Sequence, residues 1–350
     1  MVLRLLGLPK QSLSRLPANR RGGILVLSLW SICLLSTFAV ILSNGVRQKI
    51  ILVQRLDERG KLHFIAEAGI KKAIIELKKE AEKTYDSLND NWSNNTASFK
   101  AVGVGGGTFN VSYNYPHGKT GVIDTRYGLI DEERKININT ADRAILERLF
   151  RVALNFHEIE AQELAASLID WRDSDSELSI PLGSAEDRYY RNLQYPYEAK
   201  DAAFEVLEEV LLVNGMTRDI FKNIRYYVTI YGNGRINVNT APKEVFLALR
   251  LDEKLVDKIL LFRQGEDGAT GTIDDNIFDA HSRIVPKLSQ YFHLSDSEVA
   301  QLTRVVDHSL VTRSENFMIR SVAKLNNRKN TTEVDCVVNR DGKILYWHEP

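Results

Sequence analysis

A group of carboxylates between residues 170 and 187 is the part of the sequence best suited to bind a ligand or to do chemistry. The candidate metal ligands are Asp173, Asp175, Glu186 and Asp187, with Asp170 and Glu177 as further contributors. Hard cations such as calcium take about six to eight oxygen atoms from alternate carboxylates and backbone carbonyls of a loop. Carboxylates this close in sequence repel one another unless a cation lies between them. The same residues are equally compatible with an acidic turn in contact with water, and composition alone does not separate the two interpretations.

Residue patterns typical of enzymes do not accompany these carboxylates. Asp173 and Glu186 could form an acid–base pair, but no run of aromatic residues for sugar stacking lies beside them. The seven histidines show no His-x-x-x-His metal spacing, and the sequence has no Gly-x-Ser-x-Gly elbow. Cys336 has no local catalytic signature, and we expect no disulfide with Cys33, which lies inside an apolar run. We therefore predict that the protein is not an enzyme.

The carboxylates lie within an internal repeat that must position them. Residues 135–141 (KININTA) and 235–241 (RINVNTA) are near copies a hundred positions apart. In each copy a short alternating strand is followed by a threonine, Thr140 or Thr240, which we expect to cap a helix, with Pro242 in the first turn of the second one. The predicted helices of the two copies cover residues 142–154, 161–171, 242–251 and 254–263.

Two functional classes are compatible with this repeat. A strand, a cap, a helix, a short turn and a helix also form the frame of helix-hairpin-helix DNA-binding modules. Such modules grip a phosphate with the backbone amides of a Gly-x-Gly hairpin and place basic residues beside it. Here the two hairpins contain no such glycines and carry acids, and the whole chain has 46 basic and 46 acidic residues. We interpret the repeat as a packing scaffold that binds no nucleic acid, with a DNA-binding or DNA-uptake module as the alternative.

Strands are predicted on both sides of the repeat. Their segments alternate apolar and polar positions between glycine-containing turns, and cover residues 99–104, 108–115, 121–130, 316–324, 332–339 and 343–348. These segments predict one antiparallel sheet made of residues 90–136 and 313–350, with residues 137–312 inserted as a helical domain. The predicted class is therefore α+β.

The remaining element is a long helix at the beginning of the chain. Residues 24–42 are nearly all apolar, and no charge occurs between Arg21 and Arg47, so this run is long enough to cross a bilayer of about 30 Å. A secretory signal peptide has a shorter apolar core and a small-x-small cleavage site, which this sequence lacks. An amphipathic pattern then continues to about Leu88, and we predict one helix from Ile24 to that residue. The five basic and no acidic residues before the run place the first residues in the cytoplasm and the bulk of the chain across the membrane.

The start of the chain resembles the type IV pilin-like proteins. A basic leader that ends in Arg-Arg-Gly-Gly precedes an apolar helix that runs on into an amphipathic one. The resemblance implies that a prepilin peptidase cuts after Gly23, with Gly22 as the alternative, and methylates Ile24 as the new first residue. Most members carry a glutamate at the fifth mature position, where this sequence has Ser28.

The repeat region narrows the resemblance to one subclass, minor pseudopilin K of type II secretion systems, which also lacks that glutamate. The matching segments are residues 131–139, 168–175, 183–190, 205–217 and 236–242. The resemblance implies a pilin-like fold with a helical insert that holds calcium at the carboxylates named above. It also implies a protein at the tip of the secretion pseudopilus, where it initiates assembly and supports export across the outer membrane.

The resemblance further implies a domain organisation, a location and a set of partners. We expect a cytoplasmic leader at 1–23, a transmembrane helix at 24–43, its periplasmic continuation at 44–89, the divided sheet and the insert. The protein would be a single-pass protein of the inner membrane with most of its chain in the periplasm. Its expected partners are the minor pseudopilins of the I and J types, the major pseudopilin, the prepilin peptidase and the inner-membrane assembly platform.

Overall fold

The structure, a computed structural model, describes residues 20–117, 122–181, 183–326 and 328–349. The basic leader residues Arg4, Lys10 and Arg15 lie outside the described residues. Two compact units make up the chain, one up to Gly60 and one from Lys61 onward.

The first unit is the apolar part of helix α1 (Arg20–Lys79). An 18-residue window of this helix has a mean hydropathy of 2.4, and none of it is buried within the structure. Among the described residues, α1 is the helix that is long and apolar enough to cross a bilayer. Its hydroxyl groups bond to the helix itself: Ser28 Oγ donates to the Leu25 carbonyl at 2.9 Å, and Ser31 Oγ donates to the Leu27 carbonyl at 2.9 Å. An apolar surface with internally bonded polar groups is what lipid requires, which is consistent with the predicted membrane anchor.

The second unit contains the other helices and strands of the described residues, and each of them is much shorter than α1. The remaining helices are α2 (Thr96–Phe99), α3 (Arg143–Leu154), α4 (Glu158–Arg172), α5 (Asp187–Tyr190), α6 (Arg218–Ile224), α7 (Lys243–Ala248), α8 (Glu253–Arg263), α9 (Ile284–Tyr291) and α10 (Asp296–Ser309). The strands are β1 (Val102–Val104), β2 (Gly107–Val111), β3 (Tyr113–His117), β4 (Val122–Arg126), β5 (Ile130–Asp131), β6 (Ile136–Asn137), β7 (Val228–Thr229), β8 (Ile236–Asn237), β9 (Leu310–Val311), β10 (Asn316–Leu325), β11 (Thr331–Asn339) and β12 (Ile344–His348).

An antiparallel sheet packs on the C-terminal part of α1. Its strand order is β1-β2-β10-β11-β12, with β5 also paired to β10, so strands from before and after the insert share one sheet. The register places Phe109 opposite Ala323 and Phe317 opposite Val338. The buried face of the helix carries apolar side chains at helical spacing, namely Leu62, Ile65, Ala66, Ile70, Ala73 and Leu77. This arrangement confirms the predicted α+β class with a long helix on an antiparallel sheet and a helical insert.

Helix α1 ends at Lys79, nine residues before the predicted end at Leu88. The next amides bond three residues back, as Glu80 does to the Leu77 carbonyl at 3.2 Å, so the helix tightens into turns. Asp86 is then held by distant partners, with its amide donating to the Thr312 carbonyl at 2.8 Å and its carboxylate paired with Arg340. Tertiary contacts therefore override a local apolar pattern that would have continued the helix.

The insert is built from the two predicted copies, and each copy closes on itself in the same way. The side chain of Asn139 bonds to both backbone groups of Phe204: Asn139 Nδ2 donates to the Phe204 carbonyl at 3.0 Å, and the Phe204 amide donates to Asn139 Oδ1 at 2.8 Å. Asn239 makes the equivalent pair with Phe278, at 3.0 and 2.9 Å. Both copies also form a short parallel bridge, β6 with β7 and β8 with β9.

An arginine at the end of the second helix completes each copy. Arg172 Nη2 donates to the Ala141 carbonyl at 2.5 Å, and Arg263 Nη1 donates to the Ala241 carbonyl at 2.6 Å. These bonds satisfy carbonyls in the turn that follows each strand. The recurring asparagines and arginines thus serve packing, as the scaffold interpretation predicts.

The predicted caps of the repeat were wrong. Thr140 Oγ1 donates to a carbonyl of its own turn at 3.4 Å, and Thr240 Oγ1 donates to the carboxylate of Asp131 at 2.5 Å. Asp142 caps α3 instead, accepting an amide of the first turn at 2.7 Å, and Pro242 occupies the cap position of α7. The competing partners lie within the strand's own turn or in the sheet, which sequence spacing alone does not show.

Candidate functional site

The carboxylate loop begins where α4 ends and closes where α5 begins. Asp173 is the residue that caps the end of α4, and Glu186 is the residue that caps the start of α5. The buried ring of Trp171 packs edge-on against Tyr190 of α5 with 5.1 Å between ring centroids, which fixes the two ends of the loop beside each other. The predicted ligands Asp173 and Glu186 are therefore brought together although thirteen positions separate them.

Two carboxylate oxygens in this loop lack hydrogen-bond partners. Asp173 Oδ1 and Glu186 Oε1 are buried, and neither bonds to any residue of the described chain. Glu186 is 5% exposed, so water covers little of its carboxylate. An unsatisfied buried polar oxygen costs about 1–3 kcal/mol, and more when it carries charge. These two oxygens are the atoms that a bound cation would satisfy.

Burial and mutual repulsion act on the same two groups. Burial, reinforced by Asp175 and Asp170, raises the pKa of Asp173 to about 6. Burial, together with the charges of Asp170 and Asp173, raises the pKa of Glu186 to about 7. Asp170 itself is fully buried and accepts the Ser179 amide with both oxygens, at 3.0 and 3.2 Å. Excess negative charge is thus concentrated around Asp173 and Glu186.

Asp201 belongs to this group and was missed by the sequence analysis. Its charge contributes to the raised pKa of both Asp173 and Glu186. The Asp201 amide donates to the Trp171 carbonyl at 3.1 Å, which places the residue beside the end of α4. Asp201 stands well outside the 170–187 segment, so no short spacing rule would have included it.

The structure places the other predicted ligands at the margin of this group. Asp187 forms an ion pair with Arg191 at 2.6 Å and accepts the Ala199 amide at 2.9 Å, so its oxygens already have partners. Asp175 is exposed and accepts the Glu177 amide at 2.9 Å. Across the described residues, no three acidic, histidine or cysteine side chains are close enough as they stand to hold one ion. Binding would therefore require side-chain rotation within the loop.

The second copy of the repeat offers an internal comparison. Its loop follows α8 as the carboxylate loop follows α4, and it carries Asp274 and Asp275. Asp274 Oδ2 accepts the amides of Glu266 and Asp267 at 2.8 and 3.0 Å, and these amides lower its pKa to about 2. Its charge is already compensated by the backbone, whereas Asp173 and Glu186 in the first copy have uncompensated oxygens. Of the two loops, it is the first that has buried carboxylate oxygens for a cation to bind.

The hairpins of the insert do not have the features of a DNA-binding module. Each hairpin turns through a residue in the left-handed conformation, Asn155 with φ 54° and Arg250 with φ 67°. These two residues, and not glycines, make the turns between the helices of each copy. Glu158 and Glu160 occupy the first turn of α4, directly after the first hairpin, where their charges would repel a phosphate.

Comparisons with known proteins agree with the resemblance in the sequence. Residues 124–233 match the family model described as type II secretion system (T2SS), protein K. A type II secretion system protein K from Aeromonas hydrophila is 25% identical over 210 residues, an alignment that spans 59% of this chain and 57% of that relative.

A solved structure has the same fold. It is a chain in the crystal structure of the GspK-GspI-GspJ complex of the enterotoxigenic Escherichia coli type 2 secretion system. The TM-score is 0.63 at 17% identity, and the match covers 85% of this chain and 99% of that chain. At this identity the likeness shows the fold: the long helix, the antiparallel sheet and the helical insert recur together.

Proposed function

The chain belongs to the type II secretion system protein K family, and we propose that it is the minor pseudopilin at the tip of the secretion pseudopilus. In this role it initiates pseudopilus assembly and supports protein export across the outer membrane. Its part is structural, and no catalytic residue is assigned.

The observation that carries this proposal is the chemistry of Ser28 in the apolar part of α1. In a pilin-like filament, the glutamate at the fifth position of an arriving subunit pairs with the amino terminus of the subunit ahead. Ser28 has no charge, and its hydroxyl is already bonded to the Leu25 carbonyl at 2.9 Å. A charge in lipid is costly unless it is paired, so a chain without this acid cannot compensate the amine of a subunit ahead of it. The amine of its own Ile24 can still receive a glutamate from the subunit behind.

Processing, location and partners follow from this role. Prepilin peptidase cuts after Gly23 and methylates Ile24, and α1 anchors the protein in the inner membrane with the bulk of the chain in the periplasm. The matched solved structure is of a complex with GspI and GspJ, and we assign the corresponding I-type and J-type minor pseudopilins to this chain as partners. The major pseudopilin and the inner-membrane assembly platform complete the set.

The carboxylate loop holds calcium in this proposal. Asp173 and Glu186 provide the uncompensated oxygens, and Asp170 and Asp201 add negative charge beside them. Asp175 and Asp187 lie close enough in sequence to contribute after rotation, and Glu177 remains a possible contributor of the same loop. A bound cation would satisfy the two orphan oxygens and hold the end of α4 and the start of α5 together.

Localisation on the filament tests the proposal. With gold-labelled antibody on pseudopili, the wild-type protein should mark one end, and label along the filament would contradict the tip assignment. Ser28→Glu should increase the amount of the protein found along filaments. Ser31→Glu is the matched control, because it carries the same acid one helical turn away, out of register with the neighbouring amine. Equal incorporation of both variants would show that the fifth position is not what limits stacking.

A further inference from the structure

A cavity of about 300 Å³ lies between the sheet and the helical insert. Met318 and Val337 line it from β10 and β11, Tyr346 lines it from β12, and Tyr226 and Tyr231 line it from the insert. This volume is at the lower end of the range of small-molecule sites, and apolar and aromatic walls are typical of such sites. No described residue of the carboxylate loop is among the residues that line this cavity.

Arg134 brings a buried cation to the cavity. It lines the cavity, its side chain is only 7% exposed, and its Nε makes no hydrogen bond within the described chain. The guanidinium carbon lies 5.1 Å from the centre of the Tyr115 ring, which supports one face of the group. A buried guanidinium nitrogen that lacks a hydrogen-bond partner is costly, and an anion in the cavity would offset that cost.

Of the other cations that line the cavity, Lys135 and Arg320 have carboxylate partners, and Arg225 lies over the Phe221 ring, 5.8 Å from its centre. Lys135 Nζ is 2.5 Å from Glu132 Oε1, and Arg320 binds Asp335 through two hydrogen bonds of 2.8 Å each. The carboxyl of Glu133, next to Arg134 in sequence, provides little countercharge, since burial and the charge of Asp131 raise its pKa to about 8. The cavity therefore combines aromatic walls with the buried guanidinium of Arg134 and the half-buried guanidinium of Arg225.

We propose that this cavity is a binding site for a carboxylate on an aromatic or apolar body, with the carboxylate on Arg134 and the body against Tyr226, Tyr231 and Tyr346. A planar guanidinium pairs with a carboxylate through two parallel hydrogen bonds. The same chemistry is offered by a free organic acid and by the terminal carboxylate of a peptide. This site adds to the proposed function and does not depend on it.

Calorimetry on the full chain in detergent micelles tests the site. The probes are benzoate, as a free organic acid, and N-acetylphenylalanine, as the end of a peptide; N-acetylphenylalanine amide is the neutral control. Both acids, or one of them, should bind at millimolar concentration, and the amide should not. Tighter binding of N-acetylphenylalanine than of benzoate indicates a peptide end, and the reverse order indicates a free acid.

Three variants separate the site from general effects on folding. Arg134→Met should weaken binding of the acids by about tenfold or more, since a charge-assisted pair is lost. Tyr226→Ala removes a wall residue that is 48% exposed, so it should weaken binding without unfolding the chain. Arg218→Met, at an exposed arginine that does not line the cavity, should leave binding unchanged. Three results would each overturn the proposal. They are binding of the neutral amide as tight as that of the acids, no binding of any probe to the wild type, and unchanged binding of the acids by both cavity variants.

Discussion

At the scale of single residues, the molecule concentrates negative charge where the backbone does not compensate it. Asp173 Oδ1 and Glu186 Oε1 are buried without hydrogen bonds in the described chain, whereas Asp274 in the second copy accepts two amides. The two acidic loops, at equivalent places in the repeat, thus differ in whether backbone amides compensate the carboxylate charge. This contrast makes the second loop a control for the first.

Calcium should stabilise the protein through the first loop. We expect the melting temperature of the full chain to rise by several degrees when calcium is in large excess, because ligand at about a hundred times its Kd adds about 2.7 kcal/mol. Asp173→Asn and Glu186→Gln should each abolish most of this rise, as measured by differential scanning fluorimetry with and without a chelator. Asp274→Asn should lower the baseline melting temperature and keep the calcium response, because Asp274 is bonded to its own loop.

Two results would contradict the calcium site. The first is a melting temperature that calcium does not change in the wild-type protein. The second is a response that is lost in Asp274→Asn but retained in Asp173→Asn, which would place the ion in the other loop.

Glu133 should make stability depend on pH. Burial and the charge of Asp131 raise its pKa to about 8 from an ordinary value of 4.5, so the folded state binds more protons than the unfolded state between these values. Stability from this group is therefore present below about pH 4.5 and lost as pH rises through about pH 8. Denaturant unfolding at pH 5 and pH 9 should show a smaller loss for Glu133→Gln than for the wild type. An equal loss in both proteins would show that Glu133 does not hold its proton in the folded state.

At the scale of elements, the packing of α1 on the sheet depends on a close approach at Gly69. A Cβ there would lie 2.2 Å from Ser321 Oγ and 3.0 Å from Phe109 Cδ2. The Ser321 hydroxyl is buried and makes no hydrogen bond within the described residues, so it contributes little beyond its volume. Helix and sheet therefore meet at a glycine opposite a small side chain.

Gly69→Ala should be destabilising although alanine is the better helix former. We expect a net loss of up to about 2 kcal/mol, because overpacking costs about 1–3 kcal/mol and the gain in helix propensity is about 1 kcal/mol. Ser321→Ala alone should be nearly neutral, since its hydroxyl is unbonded, and it should recover much of the loss in the double variant. Denaturant unfolding of the four proteins gives the coupling free energy, and a value near zero would mean that the helix shifts away instead.

The same element shows how far the sequence could predict the structure. Apolar periodicity found α1, the helix pairs of the repeat and the strand segments, because these depend on local patterns. The prediction of one sheet was wrong for β3 and β4, which pair with each other outside the main sheet. The end of α1 could not be found that way, since Asp86 is held by Thr312 and Arg340 from the other end of the chain. Asp201 joined the carboxylate group through a backbone bond to Trp171, which no short motif encodes.

At the scale of the whole chain beyond Gly60, the sheet and the insert are joined by a buried polar network. Asp131 Oδ2 accepts hydrogen bonds from Asn237 Nδ2, Thr240 Oγ1 and Ser314 Oγ at 3.1, 2.5 and 2.7 Å. The Ser314 amide also donates to Asp86 at 2.8 Å. The network thus joins four parts of the chain: the turn after α1, the end of β5, the start of the second copy and the segment before β10. A buried hydrogen-bond network of this kind couples the elements that it joins.

Asn237 is the member whose loss should uncouple the insert from the sheet. Its Nδ2 donates to the Asp86 carbonyl, to Asp131 and to Ser314 Oγ, at 3.2, 3.1 and 2.8 Å. Asn137 has the same place in the first copy, but its Nδ2 donates to the carbonyls of residues 231 and 232 within the insert, at 3.0 and 2.9 Å. Scanning calorimetry should therefore show one transition in the wild type, two in Asn237→Ala, and one at lower temperature in Asn137→Ala. Two transitions in both variants would mean that the repeat itself, and not the junction at Asp131, sets the cooperativity of the molecule.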